Sequence, residues 1–179
     1  MAEIAGLKLI VPSSVAGSGV SVSASGKVTF TAATSISVNG VFDSTYDNYL
    51  VVCRMTSSST GDVRFRWRAS GTDNSTASSY VHQRLAAYGT TVLGARYTEN
   101  SARFSNMQNT QAGGVHHYVY GAYLAQPTAY RTVIVGDLDS ASIFDHAGTH
   151  NQSTSYDGLT IYPASGDITG ALTVYGLSQ

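Results

Sequence analysis

Apolar and polar residues alternate strictly over Asp62–Ala69, with Val63, Phe65, Trp67 and Ala69 in one set and Arg64, Arg66 and Arg68 in the other. Side chains on a strand alternate between its two faces, so this segment reads as a half-buried strand. The same period appears in Val20–Val22 and in Val28–Thr31, on either side of a Ser25-Gly26 turn. Tyr49–Cys53 is an unbroken run of strand formers, too short for a helix core and suited to a strand buried on both faces. It follows Ile36 and Val38, the Asn39-Gly40 turn, Val41 and Phe42, and the loop Asp43–Asn48, whose side chains favour bonding their own backbone.

Further along, Thr91–Thr98, Ala102–Met107, Val115–Ala125, Ala129–Val135, Gly158–Tyr162 and Ile168–Tyr175 read as strands. Tyr80–Tyr88 fits a helix through Tyr80, Arg84 and Tyr88, but its neighbours and aromatic content favour a strand. Ser70–Ser79, Gln108–Gly114 and residues 137–152 read as polar loops. About ten short strands without a helix of normal length predict an all-β chain, an antiparallel β-sandwich of jelly-roll-like form. A barrel or solenoid is the alternative, although no fixed period supports a solenoid. Leu7–Val11 resembles a short strand, and Pro12–Gly19 has the composition of a flexible linker. Residues 1–19 are therefore expected to form an N-terminal arm, ahead of a β-domain over 20–179. The arm's strand pairs either with another molecule or with its own domain.

Composition narrows the function classes. Charged residues make up 12% of the chain, about half the usual share, and the formal net charge is −1. That balance lacks the basic footprint of a nucleic-acid binder or a polybasic membrane surface. No apolar run approaches the ~20 residues that span a bilayer, so no membrane insertion is expected. The first residues lack the basic and apolar regions of a signal peptide. Cys53 stands alone, which rules out an intramolecular disulfide and suits a small buried hydrophobe. Synthesis in a reducing cytoplasm is expected, with Met1 as a natural start.

Candidate chemistry is sparse. Arg64, Arg66 and Arg68, with Arg54 on the preceding strand, form the strongest charge feature. Such a row either binds carboxylates or glycans, or pairs with acids such as Asp43, Asp47 and Asp62 on an outer face or subunit interface. Tyr118 and Tyr120, with Tyr123 and Tyr130, offer stacking area for a sugar or another subunit, against ordinary cross-strand packing. His116 and His117 are adjacent on a strand and point to opposite faces. His146 and His150 flank Gly148 in a segment that does not read as a helix, and His82 stands apart. Convergent metal ligands are not apparent, and neither metal nor cofactor is expected. Asp137, Asp139, Asp145 and His146 share one segment, but no nucleophile elbow or defensible carboxylate pair accompanies them, so no catalytic residue is assigned.

Two stretches carry a resemblance. Lys27–Thr31 with Ser35–Val52, and Ser155–Leu177, resemble a domain common in tailed-bacteriophage virion proteins of the tail-fibre, minor-tail and head-decoration type. The likeness covers roughly Val20–Leu177, with residues 70–150 alike only in composition. Ser/Thr-Tyr-Asp precedes a strand in both stretches, at Tyr46-Asp47 and Tyr156-Asp157, where it is expected to fix the start of a core strand. The resemblance implies a virion structural protein without enzymatic activity. It also implies a homotrimer, anchored to other virion proteins by the N-terminal arm. Loops such as Ser70–Ser79 and 137–152 would then face a host glycan or protein. A tail fibre, spike or receptor-binding module is the first expectation. A capsid decoration or head-fibre protein is the second, and a lectin or carbohydrate-active protein the third.

Overall fold

The computed structural model describes residues 6–136 and 142–178. Among them are sixteen strands and no helix. In chain order these are β1 (Leu7–Ile10), β2 (Ser14–Ala16), β3 (Val20–Val22), β4 (Val28–Ala33), β5 (Ile36–Asn39), β6 (Asn48–Ser57), β7 (Gly61–Ala69) and β8 (Thr72–Asp73). They continue as β9 (Tyr80–Tyr88), β10 (Thr91–Glu99), β11 (Ala102–Met107), β12 (Ala112–Tyr120), β13 (Thr128–Gly136), β14 (Ser142–His150), β15 (Gly158–Pro163) and β16 (Ile168–Leu177). Two antiparallel sheets pack face to face as a β-sandwich. The large sheet runs β10-β9-β14-β13-β12-β6-β16-β4-β3, with β1 also on β16, and the small sheet runs β11-β7-β15-β5-β2, with β8 on β7.

The alternation of β7 does what its pattern predicts. Val63, Phe65 and Trp67 are buried between the sheets, and the arginines face outward. The apolar run of β6 has a different cause. Tyr49, Val51, Cys53 and Met55 face the core, while Leu50 lies opposite Tyr118 on β12 and Tyr175 on β16 on the outer side. With no charge on that outer side until Arg54, the run reads as continuous. Burial raises the Cys53 thiol to about 12, consistent with an inert packing role.

Residues 6–19 fold onto the domain. β1 pairs with β16 from Leu7↔Leu177 to Ile10↔Val174, and β4 continues along the same side of β16 from Leu172↔Val28. β2 pairs with β5, so the stretch expected to be a flexible linker contains a strand and the Gly17–Val20 turn. Gly19 adopts φ +72° with its Cα against the Thr31 carbonyl, a place where a side chain would collide with backbone. Of the two expectations for this strand, docking on its own domain is the arrangement found.

Two segments differ from the pattern reading. Ser142–His150 was expected to be irregular and is a nine-residue strand between β13 and β9. Its inward positions are Ser142, Phe144, His146, Gly148 and His150, so only one of five is apolar in the ordinary sense. β12 begins at Ala112, taking Gly113 and Gly114 into the sheet, and ends at Tyr120 before the Gly121 turn. The strands also outnumber the expectation of about ten, because short edge pieces such as β2, β3 and β8 carry too few residues to show a period.

Candidate interaction surfaces

The arginine row lies on the outer face of the small sheet and is internally engaged. The Arg64 guanidinium is 3.8 Å from Asp62 and 3.6 Å from Glu99, and donates to Ser101 at 3.3 Å. Arg66 donates from Nε to the Asn100 carbonyl at 3.1 Å and lies 5.2 Å from the centre of the Tyr162 ring. Arg68 donates to Asn39 Oδ1 at 2.9 Å and Thr160 Oγ1 at 2.7 Å, and pairs with Asp73. The acids that meet the row are thus Asp62, Asp73 and Glu99, not Asp43 or Asp47. Arg54 does not join it, since β6 belongs to the large sheet and Arg54 is exposed on that sheet's outer face.

Tyr118 and Tyr120 also lie on the outer face of the large sheet. Tyr120 is exposed and Tyr118 half-buried. Tyr123 is exposed in the following turn, whereas Tyr130 is buried, which removes it from any surface. The sandwich therefore separates the arginine row from the tyrosines by its full thickness, and one ligand cannot contact both.

The polar loop after β8 rests on two tyrosines. Asn74 Nδ2 donates to Tyr156 Oη at 2.8 Å, Tyr80 Oη donates to the Asn74 carbonyl at 2.9 Å, and the Trp67 amide donates to Tyr80 Oη at 2.9 Å. Beside it is an open cleft of about 430 Å³, lined by Thr72, Asp73, Asn74, Thr76, Thr154 and Tyr156 among others. Hydroxyls and amides dominate this lining, a chemistry suited to polar ligands. Asp157 ties the same end together, its carbonyl accepting from the Val41 and Phe42 amides at 2.9 and 3.2 Å.

The feature hidden in the sequence is interior. His82, His117, His146 and His150 all point between the sheets and are buried, while His116 is exposed. Arg103 reaches the same interior from β11. It donates to Asp62 at 2.9 Å and Glu99 at 3.0 Å, and stacks on Tyr97 with 3.6 Å to the ring centre. Its Nη1 lies 3.4 Å from His82 Nε2, and the His82 and His146 ring centres are 5.5 Å apart. A guanidinium only donates, so Nε2 of His82 accepts and its proton sits on Nδ1. His117 Nδ1 pairs with Thr132 Oγ1 at 2.7 Å, and His150 Nε2 with Tyr156 Oη at 2.7 Å. Both ring nitrogens of His146, and Tyr130 Oη, have no hydrogen-bond partner among the described residues.

Burial holds all four imidazoles in the neutral form. It is the largest influence on each, lowering His82 and His117 to about 3 and His146 and His150 to about 4. The Arg103 charge adds to the lowering at His82 and His146. Among the described residues no group of three His, Cys, Asp or Glu side chains is placed to hold a metal ion. Asp145 and His146 occupy opposite faces of β14, and Asp145 is bound by Arg131 Nε at 3.0 Å. Asp137 and Asp139 lie outside the described residues. The inward histidines would have been visible in sequence as a period-two set, His82 with Tyr80 and Ala86, and His146 and His150 with Phe144, had histidine been counted as a core residue.

No family model and no curated protein matches the chain. Among solved structures it is similar to the binding domain of botulinum neurotoxin serotype G, at 9% identity and a TM-score of 0.30. That match covers 99% of this chain and 45% of the other. A likeness at that level carries no functional argument.

Proposed function

We propose that the chain is a structural component of a bacteriophage virion: a tail-associated fibre, spike or receptor-binding protein that presents a homotrimeric β-domain and has no enzymatic activity. One observation supports this reading beyond the resemblance itself. The two stretches that carry the resemblance lie far apart in sequence and form one unit in the fold. β5 pairs with β15 from Val38↔Leu159 to Ile36↔Ile161, β6 pairs with β16 along its whole length, and the Val41 and Phe42 amides bond the Asp157 carbonyl. Tyr156 is fully buried just before β15, and its counterpart Tyr46 is half-buried just before β6, edge-on to the fully buried Tyr49. The shared motifs are thus a framework, consistent with a structural role and with function resting on the surfaces around it.

In this reading the cleft beside Ser70–Ser79 faces outward to a host glycan or protein, and the segment at residues 6–19 lies on the side that meets the particle. Electron microscopy of the intact virion is the decisive test. Density for this domain on the tail is expected. Density at the capsid's local three-fold or quasi-six-fold positions would move the protein to the decoration class, and absence from the particle would overturn the virion reading altogether. A glycan-degradation assay with the purified protein is expected to yield no product.

A further inference from the structure

The interior beneath β9, β13 and β14 holds more hydrogen-bond donors than acceptors. In the register His82 is opposite Gly148, and Gly148 is opposite Tyr130. One row over on the same inner face, Arg84 is opposite His146. Each of these four side chains carries a buried polar atom without a hydrogen-bond partner among the described residues: His82 Nδ1, Arg84 Nε, Tyr130 Oη and both ring nitrogens of His146. A guanidinium Nε–H only donates, and His82 Nδ1 is a donor because its Nε2 accepts from Arg103. Neutral His146 has one donor and one acceptor, and the Tyr130 hydroxyl can serve as either. All four side chains thus have a proton to give, and only two can accept one. Buried polar atoms left over in a native fold call for a water or an ion.

Charge decides which. Arg103 binds Asp62 and Glu99, and Arg64 lies against the same two acids. Asp145 is on the opposite face of β14 and is bound by Arg131. Arg84 forms no ion pair among the described residues, and its guanidinium carbon lies 5.7 Å from the centre of the Tyr97 ring. Three cations, Arg64, Arg84 and Arg103, therefore meet two acids, Asp62 and Glu99. A half-buried cation without a counter-charge is costly, and water does not neutralise it. The Arg84 charge also reaches the His146 ring, which it helps to hold neutral. A metal ion beside Arg84 and Arg103 would worsen the imbalance, whereas an anion with one negative charge removes it.

We infer that Arg84 and His146 bind a small monovalent carboxylate, the guanidinium fork holding its two oxygens and a His146 N–H adding a third donor. A planar pair of oxygens matches the fork of arginine, which a halide with its single centre cannot do. The anion has a way in. Arg84 lies beside Ala95 of β10, and both are only half-buried. Leu93, on the same inner face of β10, is 45% exposed, so the space under this edge strand is open to solvent. Binding here does not depend on where the protein sits in a virion.

The test is the imidazole ¹H–¹⁵N spectrum of the full chain at pH 7, titrated with sodium formate while sodium chloride keeps the ionic strength constant. An anion of three heavy atoms binds no tighter than about 0.5 mM, so a titration to about 50 mM covers the range. Saturable shifts of the His146 ring nitrogens are expected, with the ring of His117, bonded to Thr132, unmoved. Arg84→Gln is expected to abolish the shifts with the near-ultraviolet spectrum of Trp67 unchanged. Arg84→Lys keeps the charge but loses the fork, and should bind formate about tenfold more weakly. Arg131→Gln, on the outer face, should bind as wild type does. His146 nitrogens that stay still across the titration would overturn the site, and so would shifts that survive Arg84→Gln or are lost equally in Arg131→Gln.

Discussion

The interior of the sandwich has two ends of opposite character. At one, Phe42, Tyr49, Phe65 and Trp67 meet edge to face, with centroid separations of 4.8 Å for Phe42–Tyr49 and 4.9 Å for Phe65–Trp67. At the other, His82, His146, Arg103 and Tyr130 share the space beneath β9, β13 and β14. The first end is held mainly by apolar area and ring geometry, although the buried His117 ring packs there too, 4.6 Å from Phe65 and 5.8 Å from Trp67. The second is held by groups whose charge state must stay fixed. One core is thus open to two kinds of attack, and His117 and Tyr130 join the two ends, with Tyr130 5.0 Å from Phe65 and 6.4 Å from His82.

Acid is expected to have the largest effect. The buried imidazoles titrate near 3 to 4, against 6.5 for an exposed histidine. The unfolded chain therefore binds more protons throughout that interval. Stability is fully present above about pH 6.5 and falls as the pH drops toward 4. Arg103, Arg84 and Arg64 oppose charging of the pair His82 and His146, and Asp62 and Asp145 only partly offset them. The urea midpoint measured from pH 7 to pH 4 should fall continuously, and a flat profile would refute a neutral histidine interior.

Trp67→Ala comes next. It removes a fully buried ring from the aromatic end and is expected to cost about 3–5 kcal/mol at pH 7. The acid slope, measured on the same urea curves, should become shallower, because the vacated space lets water reach His117, whose ring centre lies 5.8 Å from that of Trp67. Arg103→Ala should cost about 3 kcal/mol, since it leaves Asp62 and Glu99 without their closest cation in a half-buried setting. His146→Leu sharpens the comparison further. Both its ring nitrogens lack partners, so the change at pH 7 should be within about 1 kcal/mol, with a shallower fall toward pH 4. The smallest effect belongs to the exposed pair Arg131–Asp145, where Arg131→Ala should leave the urea midpoint close to that of wild type.

The division between the two ends also explains what could be read in advance. β7 was legible because its inward residues are aromatic or aliphatic and its outward residues are charged. β14 was not, because its inward set is Ser142, Phe144, His146, Gly148 and His150, and hydropathy treats three of these as solvent-seeking. Gly148 is apt there for a steric reason: a Cβ would collide with His82 and the Tyr130 hydroxyl. Such a constraint comes from strands distant in sequence and leaves no local trace. The arginine row was legible as a row, but its partners Asp73 and Glu99 depend on how β8 and the β10–β11 turn fold back. Arg54 looked like a fourth member because it is near in sequence, and the crossing from one sheet to the other after Ser57 separates it.

The pairing of β1 with β16 has a consequence for how the chain comes to be. Leu7–Ile10 finds its partner only in Val174–Leu177, and β6 along its length waits for the same strand. During synthesis these early segments remain open strand edges until β16 has been made. Pairings this distant slow folding and leave apolar edges exposed meanwhile. The middle hairpins can therefore form first, while the central seam and the first strand wait for β16 and close together.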